Sequence, residues 1–391
     1  MELSDPPWSR REGLAGLVAA LGDGASRVVG GAVRDALLGI DAADLDLATI
    51  HPPDETMRRL TAAGIRVVPT GLAHGTVTAL IASGPVEVTT LRHDVATDGR
   101  HAVVAFTDDW QADAGRRDFT INALYADPAT GALHDWFGGL PDLAARRVRF
   151  IGDPLARIVE DHLRILRFFR FHARFGDAVD ADGLAACAAR ANDLMALSRE
   201  RIAAELLKLL VAPGAVPVVA LMIEHGILLP VLPEIADAAP LARLAAREVA
   251  AGVAPDAIRR LAVLVPADAA ASVAARLKLS TADRGRLKSA TGPLGDDGPR
   301  ALAYRIGVEG AIDRLLLHGM DVAMLAGWTP PRLPIGGGVL VERGLRKGPA
   351  VAATLARIES RWIAEGFPDA VRAGTLADEE VAAALATPSG P

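Results

Sequence analysis

Apolar residues recur along this 391-residue chain with two different periods. Up to about residue 146 short alternating runs are mixed with helical ones; beyond it only the helical period remains. Leu14, Leu17, Val18 and Leu21 share one face of a short helix. Arg27-Val28-Val29 reads as an apolar strand ending in Gly30-Gly31, followed by a helix over 33–38 that Gly39 ends. In a second strand, 44–47, Asp44 and Asp46 point to one face while Leu45 and Leu47 point to the other. A helix follows from Pro53 to about residue 63. The runs 75–81 and 85–91 then flank Ser83-Gly84 as a hairpin. The polar stretch 92–110, with Asp94, Asp98, Gly99, Arg100 and His101, reads as a mobile loop. Residues 116–124 read as a helical start that puts Asp118 and Asn122 on one face.

Past residue 146 the pattern predicts one strong helix over 154–175. Its apolar set includes Leu155, Ile158, Leu163, Phe168, Phe169 and Phe171, and it places Arg157, Asp161 and Arg164 on one face. Alanine- and leucine-rich helices continue to about 320. Gly336-Gly337-Gly338 reads as a plain loop, 350–366 as the last helix, and the remainder as a frayed tail.

Composition changes this picture little. Hydrophobic residues make up 51% and aromatics 4%, which suits a largely helical protein, and the net charge of −6 gives no sign of a polyanionic partner. Such a partner must be met by local basic surface, and 157–174 supplies it with Arg157, Arg164, Arg167, Arg170 and Arg174 against Glu160 and Asp161. A single cysteine, Cys187, excludes an internal disulfide framework and a cysteine-based zinc site. The most apolar run, 216–235, is interrupted by Glu224, His225 and prolines and is too broken to cross a bilayer. With no apolar segment near its start, the chain reads as soluble and cytoplasmic, with no membrane or protein partner expected.

The chemistry gathers in few places. A glycine turn lets backbone N–H groups approach a phosphate. Two carboxylates on one sheet face repel each other unless a divalent cation sits between, and Mg²⁺ shared with substrate phosphates is the expected occupant. Glu87 is a further candidate carboxylate on the neighbouring strand. The plainer explanations are an ordinary turn, a solvated strand face and an ion-paired helix face. Each serves for one motif alone and weakens when the motifs occur together.

Three segments carry a resemblance. They are Gly30-Gly31-Ala32-Val33-Arg34-Asp35 with Asp44-Leu45-Asp46-Leu47, then Arg116-Arg117-Asp118-Phe119-Thr120-Ile121-Asn122, then Glu160-Asp161-His162-Leu163-Arg164 through Arg170-Phe171. Together they resemble the class II tRNA nucleotidyltransferases, which comprise the CCA-adding enzymes and the related bacterial poly(A) polymerases. The resemblance implies an α+β fold: a nucleotidyltransferase head with a small mixed β-sheet (1–146), an all-helical neck that reads the base (147–212), and a helical body and tail that bind tRNA (213–391). It assigns Asp44 and Asp46 to the catalytic metals; Glu87 is a candidate further ligand from its strand position alone, with a solvated strand residue as the alternative. It assigns Gly30, Gly31, Arg34, Arg117, Asp118 and Asn122 to the triphosphate and ribose, and Asp161, Arg164, Arg167 and Arg170 to the nucleotide on the neck. The implied reaction is addition of CCA to the 3′ end of tRNA from CTP and ATP without a nucleic-acid template, with two Mg²⁺ ions serving the displacement. Poly(A) synthesis, or addition of only CC or only A, is the alternative.

The residue types at 161 and 164 suit that task. Cytosine and adenine both offer an amine donor beside a ring-nitrogen acceptor, complementary to a carboxylate beside a guanidinium. Guanine and uracil offer a carbonyl and an N–H, and such a mismatch in a buried polar site is worth on the order of 10⁴-fold. The run 87–101 is closer to the flexible loop of the CCA-adding enzymes than to that of the polymerases. His162, Phe168-Phe169 and the Gly336-Gly337-Gly338 run depart from the family pattern.

Overall fold

The computed structural model describes residues 2–41, 44–97 and 102–386. Of the expected mobile loop, Asp98, Gly99, Arg100 and His101 lie outside the described residues. The chain divides into two compact units, Met1–Ala238 and Ala239–Pro391. No helix among the described residues is long and apolar enough to cross a membrane.

The first unit is built on strands β1 (Ser26–Val29), β2 (Asp46–Thr49), β3 (Arg66–Gly71), β4 (Thr76–Ile81), β5 (Gly84–Thr90), β6 (Arg92–Thr97), β7 (Ala102–Phe106), β8 (Tyr125–Ala126) and β9 (Leu133–His134). Seven form one mixed sheet in the order β3-β4-β5-β2-β1-β8-β9, and β6 and β7 form a separate hairpin. Only β2 and β5 pair in parallel, and their register sets Asp46 opposite Glu87. Paired residues share a sheet face, so these two carboxylates lie on one side.

Around the strands run α1 (Leu14–Leu21), α2 (Gly31–Leu37), α3 (Pro53–Ala62), α4 (Trp110–Gly115) and α5 (Gly139–Ala144). After β9 the unit continues as α6 (Pro154–Glu160), α7 (Leu163–Phe175), α8 (Ala181–Ala189), α9 (Arg199–Leu210) and α10 (Ala215–Glu224). The fold is therefore α+β, a small mixed sheet followed by helices. Val29, Ala48, Leu91, Ala123 and Tyr125 form a buried cluster on the face that carries Asp46. Phe119, Phe150 and Phe168 join the strand layer to α7, with ring centroids 4.9 Å (119–150) and 5.6 Å (150–168) apart. The aromatic residues at 168 and 169 that depart from the family pattern are thus fully buried core.

Several expectations need correction. The strand expected over 44–47 begins at Asp46, and Asp44 precedes it; the alternation nevertheless holds, with Leu45 and Leu47 buried and both aspartates exposed. β3, β8 and β9 escaped the pattern. Pro69 interrupts β3, which pairs only with β4 at the sheet edge, and two-residue strands show no period. The stretch read as a loop supplies β6, β7 and α4. Asp118 and Asn122 do not share a helix. Phe119 is extended and Thr120–Asn122 is a 3-10 turn that brings the two side chains together.

The single helix expected over 154–175 is two helices. Asp161 is extended (φ −151°, ψ 106°) and its Oδ1 accepts from the Leu163 amide at 3.1 Å, capping α7. Arg157 and Asp161 therefore do not sit on one continuous face with Arg164. Leu155, counted in the apolar set, is 45% exposed.

The second unit is helical: α11 (Ala239–Ala250), α12 (Ala257–Leu264), α13 (Ala270–Arg276), α14 (Thr281–Ala290), α15 (Pro299–Ile306), α16 (Val308–Leu317), α17 (Gly337–Glu342), α18 (Pro349–Ala364) and α19 (Ala370–Ala386). The Gly336 run opens α17 rather than forming a plain loop. The tail is a helix: Leu376 and Val381 of α19 are buried with Ile358 and Trp362 of α18. Alanine-rich spacing hid it, because alanine marks neither face strongly.

Candidate active site

Gly30 ends β1 at φ +67°, a left-handed conformation that favours glycine, and a Cβ there would lie 3.2 Å from Arg117 Nη1. The turn starts α2, whose Arg34 is buried. The Arg34 Nη1 donates to Asn122 Oδ1 at 2.5 Å, Nε donates to Asp35 Oδ1 at 2.8 Å, and the guanidinium lies 4.2 Å from the Phe175 ring centroid. Burial pulls the Arg34 pKa down and Asp35 pulls it up, for a net lowering.

Across from this turn, Asp44 and Asp46 face the cleft. Although its side chain reaches solvent, loss of hydration to the protein packed around it, then the nearby Glu87 and Asp44, push the Asp46 carboxyl above the usual carboxylate range, while Arg117 opposes them. A cation placed between the aspartates relieves that repulsion, so the donor set fits a hard divalent ion. Among the described residues no group of three or more acids, histidines or cysteines could hold an ion by itself. An ion here would be shared with substrate phosphates. Asp44 and Asp46 would be the protein groups to hold it, and Glu87, on the adjoining strand, pairs with Asp46 in register.

The stretch 116–122 forms the next wall. Arg117 Nε donates to Tyr125 Oη at 3.1 Å and Nη2 reaches Asp113 at 3.4 Å; Tyr125 Oη in turn donates a short bond to Asp113. Burial lowers the Arg117 pKa, but Tyr125 and Asp113 outweigh it and raise it overall. Asp118 accepts from Asn122 Nδ2 at 3.0 Å, from the Phe119 amide at 2.9 Å and from Arg167 Nε at 2.7 Å. Burial raises the Asp118 pKa, yet Arg167 and the other donors hold it below the usual range. A buried carboxylate with this many donors keeps its charge and its orientation.

The helices α6 and α7 close the cleft. Arg164 Nη1 donates to Glu160 Oε2 at 2.5 Å and to the Arg157 carbonyl at 2.8 Å, while Nη2 reaches the Arg116 carbonyl at 3.2 Å. Arg157 Nη2 donates to the Arg116 and Arg117 carbonyls at 2.5 and 2.6 Å. From α9, Glu205 pairs with Arg170 through a short bond and with Arg167 at 3.8 Å, and Arg201 pairs with Asp161. The residues expected for the metal and the nucleotide, from Gly30 to Arg170, all line one cleft of about 740 Å³; Glu87 alone is not on its wall. Phe171 and Lys208 also line it. The sequence reading did not assign Arg201, Glu205 and Lys208, although their i, i+4, i+7 spacing on α9 carried the signal. Nor did it give a role to Asp113 and Tyr125, which meet across twelve positions of sequence.

Two family models match in order: the "Poly A polymerase head domain" over residues 26–149 and the "Probable RNA and SrmB-binding site of polymerase A" over 178–239. The Homo sapiens mitochondrial CCA tRNA nucleotidyltransferase 1 is 48% identical over 189 residues, which is 47% of this chain and 43% of that protein. A CCA-adding enzyme of Streptococcus gordonii is 45% identical over 187 residues, 47% of this chain and 46% of that one. In these alignments the chain thus spans less than half the length of the curated relatives it matches. The Bacillus stearothermophilus CCA-adding enzyme, solved in complex with CTP, superposes with a TM-score of 0.70 at 25% identity, covering 92% of this chain and 93% of that one. The Thermotoga maritima CCA-adding enzyme complexed with tRNA shares the fold, with a TM-score of 0.70 at 20% identity over 98% of both chains. Enzymes of this family generally use a divalent metal. The chain is thus similar to the CCA-adding enzymes in fold along nearly its whole length, and its residues 26–149 and 178–239 match two poly(A) polymerase family models in order.

Proposed function

We propose that this chain adds CCA to the 3′ end of tRNA from CTP and ATP, with Mg²⁺ and without a nucleic-acid template. One observation carries the proposal: a single cleft joins Asp44 and Asp46 to Asp161 and Arg164. A metal-capable carboxylate pair and a side-chain pair complementary to cytosine and adenine thus face the same bound nucleotide. The names of the relatives, and the CTP bound by the Bacillus stearothermophilus enzyme, support it.

In this reading the Gly30-Gly31 turn leaves room for the triphosphate, and Arg34, Arg117, Arg167 and Arg170 hold its charge. Asp118 and Asn122, locked together, offer the ribose a fixed polar edge. The RNA 3′-hydroxyl gives its proton to solvent and its oxygen bonds the α-phosphorus as the bond to the bridging β-phosphate oxygen breaks, and pyrophosphate leaves. Asp44 and Asp46 would hold Mg²⁺, which when bound lowers the pKa of the attacking hydroxyl and draws charge from the leaving phosphates.

Base choice falls to the junction of α6 and α7. Asp161 accepts from the exocyclic amine and Arg164 donates to the ring nitrogen. The Nη2 contact of Arg164 to the Arg116 carbonyl is its longest and the first to give way to a base. Residues 1–146 then form the catalytic head, 147–212 the base-reading neck, and 213–391 the tRNA-binding body and tail.

The test is extension of tRNA lacking its 3′ end with labelled CTP and ATP and sequencing of the product. Addition of C, C and A followed by arrest is expected. The head model bears the name of poly(A) polymerase, so unlimited A addition to any RNA is the second reading's signature and would replace this one. Addition of only CC or only A would narrow it.

A further inference from the structure

Asp161 does not stand alone in the cleft. It sits between α6 and α7 in an extended conformation, so helical backbone geometry does not fix its side chain. Two donors do so: the Leu163 amide, 3.1 Å from Oδ1, and the Arg201 Nη2 of α9, 3.0 Å from Oδ1 and 2.8 Å from Oδ2. One guanidinium nitrogen thus bridges both oxygens. The amide comes from the same turn and moves with it. Arg201 reaches across from another helix, forty residues away in sequence.

The rest of α9 braces this arrangement. Arg201 lies one turn from Glu205, which holds Arg167 and Arg170 of α7. The two helices run side by side in the same sense, start beside start. Ile202, Leu206 and Leu209 of α9 are buried, so it is anchored independently of any nucleotide. Arg201 itself is half-exposed, with 39% of its side chain accessible, and it does no evident packing work in the core. Its contact with Asp161 is its chief structural role.

We propose that Arg201 is the positioning residue for base selection: it sets the orientation of the Asp161 carboxylate and leaves one acceptor edge for the exocyclic amine of an incoming cytosine or adenine. The proposal rests on the functional reading above. Without Arg201 only the Leu163 amide holds one oxygen, and a rotated or water-bridged Asp161 no longer penalises the carbonyl of uracil or guanine. Discrimination falls while phosphate contacts at Arg34 and Arg117 remain. Arg201 touches no reacting atom, so its effect appears in selectivity rather than in uniform loss of rate.

Single-nucleotide extension with each of CTP, ATP, UTP and GTP tests this, using the full chain as wild type, Arg201→Ala, Arg201→Lys, Asp161→Ala and the Arg201→Ala/Asp161→Ala double variant. Arg201→Gln serves in place of Arg201→Ala if thermal melting shows the latter unfolded. The expected result is a drop of about tenfold in the kcat/KM ratio of CTP and ATP over UTP and GTP for Arg201→Ala, partly restored by lysine. In the Asp161→Ala background, removing Arg201 changes that ratio no further. An equal fall for all four nucleotides, or a full second loss in the double variant, overturns the proposal. If the wild-type chain itself does not prefer C and A, the functional reading fails and takes this one with it. If the wild type selects and Arg201→Ala selects equally well, Arg201 alone is excluded.

Discussion

A methyl group at Gly30 meets two obstacles at once. The residue sits at φ +67°, where a side chain costs about 1–2 kcal/mol, and the new Cβ lies 3.2 Å from the Arg117 guanidinium. Gly30→Ala is therefore expected to weaken nucleotide binding more than it lowers stability, because Arg117 must shift; isothermal titration with CTP beside a denaturant melt measures both. Asp46→Asn leaves the strand pairing intact and removes one charge of the carboxylate pair. Metal-dependent turnover is expected to vanish while the protein still folds, as rapid-quench assays with and without Mg²⁺ would register. Residue types of this kind were legible in the sequence, since glycine before a helix start, paired aspartates and a run of arginines each have a chemical meaning wherever they occur. Their partners were not. Arg201 and Asp161 stand forty positions apart, and Arg167 and Asp118 forty-nine, so no local pattern records that they meet.

Among the elements, α7 shows where periodicity helps and where it fails. Its apolar residues predicted a buried helix correctly, but the same period ran unbroken through Asp161, where the chain is extended. A two-residue interruption bridged by a side-chain cap does not disturb spacing. The helix also carries His172, buried with Nδ1 lacking a hydrogen-bond partner. Burial depresses its pKa below the ordinary 6.5, with Asp177 opposing weakly. Above pH 6.5 the ring is neutral in both folded and unfolded chains. On acidification the unfolded chain takes up the proton first, so stability is lost as the pH falls from 6.5 toward the folded value. His172→Phe is expected to flatten the change in denaturant midpoint between pH 7.5 and 5, and an unchanged slope would show that other groups set it. The short strands β8 and β9 and the alanine-rich α19 went unread for a different reason: each carries too few strongly apolar positions to display any period.

At the scale of the molecule, the second unit depends on charges that composition alone would place at the surface. Arg259 donates to Asp313 at 2.8 Å and to Glu248 at 2.9 Å, Arg260 pairs with Glu248, and Arg286 reaches Asp313 at 2.6 Å. Asp313 and Glu248 are almost fully buried. Removing one partner strands the others without water, so Asp313→Ala is expected to cost this unit about 3–5 kcal/mol, read as an early denaturant transition. The helical class of this unit was legible, but the ion cluster that ties α11, α12, α14 and α16 was not. In the first unit, Arg157 and Arg164 hold the backbone carbonyls of Arg116 and Arg117. A graft that replaces 154–175 with the matching helices of a relative thus severs these bonds unless the donor's 116–118 segment travels with them. On the proposed reading, base preference is transplanted as a two-piece cassette, and a cut at residue 146 divides it.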